Sequence, residues 1–181
     1  ATGPGRWEVH GRLGCVSAMG GREVVYHLAD RSRAGRLADA RDQRRINVQG
    51  TRLVMQAAME EGVRRIVHCG TARVHGDTGP GTANEESEFR PTNAYELTKM
   101  QAERIALLFV QEYDLPVVVA RPTWTYGATD RRFCWLLAAV RGGPVVFPVS
   151  RTPRHHPMPV GDLVLGLRVR DVIQRDRQHL L

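Results

Sequence analysis

Apolar residues gather into three short, unbroken runs: Val24-Val25-Tyr26-His27-Leu28, Arg65-Ile66-Val67-His68-Cys69 and Pro116-Val117-Val118-Val119-Ala120. Continuous rather than alternating runs, rich in β-branched residues, predict strands covered on both faces, as in a parallel sheet. Between the first two, the spacing turns helical from Ile46 to Glu61, with Val48, Leu53, Met55, Ala57 and Ala58 on the apolar side and Gly62 at the C-cap. A second helix is predicted over 94–113, with Leu97, Ile105, Leu108 and Phe109 facing inward. Strand, helix, strand, helix, strand reads as βαβαβ with right-handed crossovers.

The stretch from Gly76 to Pro91, rich in Gly, Pro, Thr, Asn and Glu, predicts a surface loop after the second strand. That is the carboxyl end of a strand, where open α/β sheets place their ligands. Beyond the third strand come a short helix around Phe133 to Arg141, a Val145-Val146-Phe147 run, and a final amphipathic helix from Asp162 to about Arg175. Three parallel strands make half of a doubly wound sheet, whose first βα turn grips pyrophosphate through glycines. Gly3-Pro4-Gly5 and the pair Gly11 and Gly14 neither follow a strand nor open a helix in this reading, and are taken as loop glycines. The expectation is an α/β, Rossmann-like doubly wound parallel sheet with its N-terminal Gly-rich βαβ part missing. Residues 1–22 form an uncertain segment, 23–150 the C-terminal half of a nucleotide-binding domain, and 151–181 the start of a substrate-binding region.

Composition changes this picture little. The 181 residues, 42% hydrophobic and 25% charged, suit one globular domain. No apolar run approaches the roughly 20 residues of a membrane span. Ala1 to Val9 lacks the form of a secretory signal, and three widely spaced cysteines with no C-x-x-C suggest neither a metal site nor a disulfide framework. A cytoplasmic setting is expected. The net charge of +7 raises nucleic acid as a partner, but the basic residues are spread along the chain, and the densest stretch, Arg31 to Arg45, is broken by Asp39 and Asp42. A solvated arginine-rich surface is the expectation, with no nucleic-acid partner. All but one of the 26 basic residues are arginine, and the exception is Lys99.

Lys99 follows Tyr95 by four residues in Tyr95-Glu96-Leu97-Thr98-Lys99, so on a helix the two share a face. An ammonium beside a phenol favours the phenolate and lowers its pKa from about 10, which makes the tyrosine a usable acid or base near neutrality.

Around this pair lie further blocks: His27-Leu28-Ala29, Asn47-Val48-Gln49-Gly50-Thr51, Val67-His68-Cys69-Gly70-Thr71-Ala72-Arg73-Val74-His75-Gly76, Pro91-Thr92-Asn93-Ala94-Tyr95 and Arg121-Pro122-Thr123-Trp124-Thr125-Tyr126-Gly127. In this order and spacing they resemble the extended short-chain dehydrogenases of the NAD-dependent epimerase/dehydratase family, over about residues 23 to 165. The resemblance implies a hydride-transfer site using NAD or NADP. Tyr95 takes the place of the catalytic acid/base, Lys99 that of the residue bonding the nicotinamide ribose and lowering the tyrosine pKa, and Thr71 that of the hydroxyl orienting the substrate oxygen. Cofactor contacts implied the same way are Leu28, Ala29, Asn47, Cys69 and Pro122, together with Tyr95 and Lys99. Taken singly, Leu28 and Cys69 also read as core, Asn47 as a polar bridge, Thr71 as a strand-end threonine and Pro122 as a helix stop. His75 reads as pocket lining or as a loop histidine. Arg131 and Arg132 read as exposed arginines or as diphosphate ligands.

The family's opening G-x-x-G-x-x-G turn has no counterpart in the sequence. The implied activity is NAD(P)-dependent oxidoreduction or epimerisation of a small-molecule substrate, a nucleotide sugar or another secondary alcohol or ketone. Relatives often pair into homodimers through helices such as those carrying Asn47 and Tyr95. A hydroxysteroid or flavanonol-type reductase is the alternative enzyme. A non-catalytic interaction protein without cofactor binding is the alternative of another class, since a truncated sheet leaves an open edge.

Overall fold

A computed structural model describes residues 11–32, 37–79, 81–128, 130–143 and 156–177. The Gly3-Pro4-Gly5 and Val145-Val146-Phe147 segments lie outside them. The chain divides into two compact units, one ending at Arg121 and one beginning at Pro122.

The first unit holds the expected parallel sheet. Strands β1 (Val24–His27), β2 (Arg65–Cys69) and β3 (Val117–Ala120) lie side by side in that order, all parallel. Register aligns Val25 with Ile66 and Ile66 with Val117, and this apolar row packs under helices α1 (Arg12–Met19), α3 (Gly50–Glu60) and α4 (Ala94–Tyr113). Cys15 and Met19 of α1, Val54, Met55, Ala57 and Ala58 of α3, and Ile105, Ala106 and Phe109 of α4 complete the core. Two residues further along each strand, hence on the same sheet face, the row becomes His27, His68 and Val119. The layer between sheet and helices therefore turns from apolar to polar toward the carboxyl ends of the strands.

Helix α1 corrects the reading of the N-terminal glycines. Gly11, at φ 85°, caps α1, and Gly14 lies inside it. Cys15 and Met19 bury in the core with α3, Val16 partly so, and that tertiary burial outweighs the interior Gly14 and a short length. The helix predicted from Ile46 starts earlier. Helix α2 (Leu37–Gln43) runs into a π-helical stretch, Arg44–Gln49, which continues as α3. The end at Gly62 is as expected: with φ 62° it follows Glu61, its N–H bonds the Met59 carbonyl and that of Val63 bonds Ala58, closing a Schellman motif.

Helix α4 has the predicted bounds. Asn93 caps it by accepting from the Glu96 N–H at 3.0 Å. Ile105 and Phe109 face inward, but Leu97 and Leu108 are each 42% exposed. The inward face instead carries Thr98, Lys99, Ala102, Glu103 and Ala106, because this face crosses the polar end of the sheet as well as its apolar middle. Buried Glu103 forms an ion pair with Arg121, whose guanidinium also donates to the Glu85 carbonyl and lies over the Phe89 ring. This arginine ties the predicted loop to α4. Gly76, at φ 64°, permits the turn into that loop, where a Cβ would run into the Arg90 carbonyl.

The second unit contains a two-stranded parallel sheet, β4 (Thr125–Tyr126) with β5 (Met158–Pro159), and helices α5 (Arg131–Arg141) and α6 (Val160–Arg177). The two late helices are those predicted. No helix among the described residues is long and apolar enough to cross a membrane.

Candidate active site at the carboxyl ends of the strands

The chain leaves β1 through Leu28, Ala29 and Asp30, all exposed at the carboxyl end of the sheet. This segment is held in place by Asn47. Its amide oxygen accepts from the Arg31 N–H at 2.8 Å, and its amide nitrogen donates to the Arg31 carbonyl at 3.2 Å and to the Thr98 hydroxyl at 2.9 Å. Thr98 in turn donates to the Tyr95 carbonyl at 2.8 Å. One buried amide thus fastens the loop after β1 to the helix that carries Tyr95 and Lys99. Asn47 lies in the π-helical stretch, an uncommon conformation that recurs at functional sites.

Lys99 is buried, and its ammonium donates to the Cys69 carbonyl at the end of β2 over 2.6 Å. A second charged partner is close: Asp30 Oδ2 stands 3.7 Å from Lys99 Nζ. The same carboxylate oxygen accepts the Tyr95 hydroxyl at 2.7 Å. Tyr95 and Lys99 therefore share one partner, the Asp30 carboxylate oxygen, which both approach.

That carboxylate reverses one expectation. Burial, then the hydrogen bond to Asp30, then its negative charge push the Tyr95 hydroxyl above its ordinary range, against the expected lowering by Lys99. The ammonium is occupied by the Cys69 carbonyl and Asp30, and the phenol proton is held by an anion. Sequence reading stopped one residue short at His27-Leu28-Ala29; the available signal was a carboxylate next in line at a strand's carboxyl end.

Thr71 is buried at the N-cap of a 3-10 turn, Ala72–His75, and its hydroxyl accepts from the Arg73 N–H at 3.4 Å. Arg73 reaches the first turn of α4, donating to Glu96 at 2.9 Å. Burial alone would raise the Glu96 carboxyl; hydrogen bonds from the Thr92 backbone and hydroxyl, Arg73 and the Asn93 side chain hold it below the usual value instead. The turn bearing Thr71 is thus docked on the helix start bearing Tyr95. Burial raises the Cys69 thiol, with Lys99 opposing. Leu28 is exposed, which removes its reading as core. His75 is buried, bonded to the Glu88 carbonyl and packed on Phe89, and it lines a loop cavity of about 240 Å³ with Asp77, Thr78 and Arg90. Pro122 opens the second unit.

Beneath the site is a polar layer that periodicity did not reveal. His27 Nε2 lies 2.9 Å from the Thr51 hydroxyl, which donates to the Asn47 carbonyl. His68 packs on His27 with ring centroids 5.2 Å apart, and among the described residues neither of its nitrogens has a hydrogen-bond partner. Among the described residues no His, Cys, Asp and Glu group is arranged to hold a metal ion.

A parallel α/β sheet with a Tyr–Lys pair at the carboxyl ends of its strands defines a Rossmann-like protein of the short-chain dehydrogenase type. The profile of the NAD dependent epimerase/dehydratase family matches residues 15–164, and the chain belongs to that family. Its match begins inside α1, at Cys15. Among curated proteins, the chain is 34% identical over 110 residues to a dTDP-glucose 4,6-dehydratase of Streptomyces griseus, covering 60% of this chain and 34% of that protein. It is 36% identical over 127 residues to a 4-hydroxy-2-methyl-3-oxo-4-farnesyl-3,4-dihydroquinoline-1-oxide ketoreductase of Stigmatella aurantiaca, covering 68% of this chain and 37% of that protein. The structure of MoeE5 in complex with UDP-glucose and NAD superposes with a TM-score of 0.71 at 28% identity, over 85% of this chain and 54% of that one. The chain therefore spans about a third of these curated relatives and about half of the solved one.

Proposed function

We propose that this chain carries the acid/base half of an NAD-dependent oxidoreductase site acting on a nucleotide sugar, with epimerisation or dehydration following from oxidation at a carbinol carbon. The observation that carries the reading is the meeting of Tyr95, Lys99 and Asp30 at the carboxyl ends of β1 and β2. A dTDP-glucose dehydratase among the relatives, and a solved neighbour holding UDP-glucose and NAD, support the substrate class and a nicotinamide cofactor.

The residues fit the nicotinamide-ribose half of such a cofactor. Leu28 and Ala29 leave an exposed strand end, Lys99 offers an ammonium with two further protons beyond its bond to Cys69, and Tyr95 offers a hydroxyl. When bound, the nicotinamide supplies hydride exchange at carbon. Tyr95 exchanges the hydroxyl proton of the substrate, Lys99 holds ribose hydroxyls and offsets local negative charge, and Thr71 orients the substrate oxygen. Asn47, whose amide is taken up by Arg31 and Thr98, positions the Leu28-Ala29-Asp30 segment against α4. Cys69 contributes its backbone carbonyl, and Pro122, the residue after Arg121, is a further proposed cofactor contact.

The ketoreductase among the relatives favours one further reading, reduction of a ketone to a secondary alcohol by the same residues. Two of the three exposed leucines of α4, Leu97 and Leu108, stand eleven residues apart, three turns along one face. They form the surface through which we place a homodimer contact.

Equilibrium titration with NAD, NADH, NADP and NADPH tests the reading. Saturable binding of NAD(H), weakened in Lys99→Met, is the expected result; a folded chain that binds none of the four contradicts it.

A further inference from the structure

Asp30 is the one acidic side chain that the described structure places against the Tyr95 hydroxyl, and the family resemblance assigns it nothing. A phenol has a single proton to give. In this structure that proton points at Asp30 Oδ2 over 2.7 Å, which leaves the phenol oxygen able only to accept from a substrate hydroxyl. A phenolate next to a carboxylate is electrostatically disfavoured, so Tyr95 is poorly placed to serve as a preformed base. The carboxylate itself is the base within reach, and Asp30 is open to solvent, so it can release what it receives.

We infer that Asp30 is the terminal proton acceptor of the site, acting through Tyr95 as a relay. The inference rests on the reading of Tyr95 as the acid/base group. When a carbinol is oxidised, its C–H hydrogen would leave together with the bond's electron pair, as hydride, to the oxidised nicotinamide that the proposed function requires. The substrate O–H proton passes to the Tyr95 oxygen while the proton Tyr95 already holds passes to Asp30. A C=O bond forms, the phenol is regenerated, and the carboxylate ends as a carboxylic acid. Ketone reduction is the same relay in reverse, starting from protonated Asp30. No phenolate is needed in either direction.

The groups around Asp30 suit this role. Lys99 on α4 faces it, with its ammonium 3.7 Å from Oδ2. His27 on β1 is held neutral by burial and by the Lys99 charge, and burial holds the Cys69 thiol at the end of β2 protonated, so neither competes for the proton. Arg73, from the turn after β2, acts on Tyr95 by its charge in the opposite sense to Asp30.

Two measurements on the full chain test the inference, using Asp30→Asn, which preserves shape in an exposed segment. The first needs no cofactor: the tyrosine Cζ resonances are followed by NMR against pH in the wild-type chain and in Asp30→Asn, with Tyr95→Phe assigning the Tyr95 signal. Tyr95 should ionise at least about one pH unit lower in Asp30→Asn than in the wild type, as loss of an adjacent negative charge requires. Identical titrations overturn the inference. The second is the pH profile of kcat/KM with NAD and UDP-glucose or dTDP-glucose. Asp30→Asn should lose at least about tenfold at pH 7 and recover by roughly tenfold per pH unit, because only the phenolate can then take the proton, while the wild type stays flat over that range. Asp30→Glu, which keeps the carboxylate, should recover part of the wild-type rate and its flat profile. Wild-type activity in Asp30→Asn, or a loss with no pH slope, overturns the relay. A wild-type chain with no turnover counts against the proposed function instead, and the NMR titration then decides the Asp30–Tyr95 coupling by itself.

Discussion

Acidification from pH 7 to pH 5 perturbs the polar layer beneath the site with no change of sequence. His27 is 6% exposed, and burial together with the Lys99 charge pulls its pKa from 6.5 to about 4. In the unfolded chain the imidazole returns to about 6.5. Between these values the unfolded state binds more protons than the folded one, so stability falls as pH falls. The contribution is fully present above about pH 6.5, is lost progressively on acidification, and changes no further below about pH 4. At about 1.4 kcal/mol per unit, the drop from pH 6.5 to 5 removes roughly 2 kcal/mol through His27 alone. His68, lowered by burial and by the charges of His27 and Lys99, adds to the loss in the same direction. Glu96, held low, contributes only nearer its unfolded value of about 4.3 and so stays outside this window. Urea unfolding at pH 7 and pH 5 reads the difference directly. The wild type should lose at least about 2 kcal/mol, and His27→Gln/His68→Leu should lose less than half as much, whatever its stability at pH 7. Equal losses in the two proteins would refute the assignment of the acid sensitivity to this pair.

Asn47→Ala removes three hydrogen bonds, two of them to the Arg31 backbone; it should cost about 2–3 kcal/mol in urea unfolding and weaken NAD binding, whereas an unchanged affinity would separate Asn47 from the site. Leu97→Glu/Leu108→Glu should convert a dimer to a monomer in sedimentation with the circular dichroism spectrum retained, and a wild-type chain that sediments as a monomer at all concentrations removes the homodimer proposal.

The strands were legible because Val24–His27, Arg65–Cys69 and Val117–Ala120 are β-branched runs bounded by polar segments. Helix α4 was legible to the residue, since Asn93 before it and Asp114 after it are local signals. Helix α1 was not, because Gly14 in its short interior argues against a helix and only long-range burial of Cys15 and Met19 overrides it. Leu97 and Leu108 show the converse. Hydrophobicity marked them as inward, while the sheet end that α4 crosses called for Thr98, Lys99 and Glu103. Within the site, the Tyr95–Lys99 pair is a helical spacing and could be read directly. Asp30 lies 65 residues from Tyr95, and its bond to the hydroxyl depends on the path after β1 that Asn47 fixes. Nothing in local spacing encodes that contact, nor its consequence for the proton on Tyr95.

The central claim is that proton transfer at the substrate hydroxyl runs through Tyr95. Mixing the chain with NAD and UDP-glucose or dTDP-glucose, and following reduced nicotinamide absorbance in the wild type and Tyr95→Phe at matched cofactor occupancy, tests it most directly. The account predicts a loss of at least about a hundredfold in the rate for Tyr95→Phe with NAD affinity within about threefold of wild type. A variant that reduces NAD as fast as the wild type would contradict it.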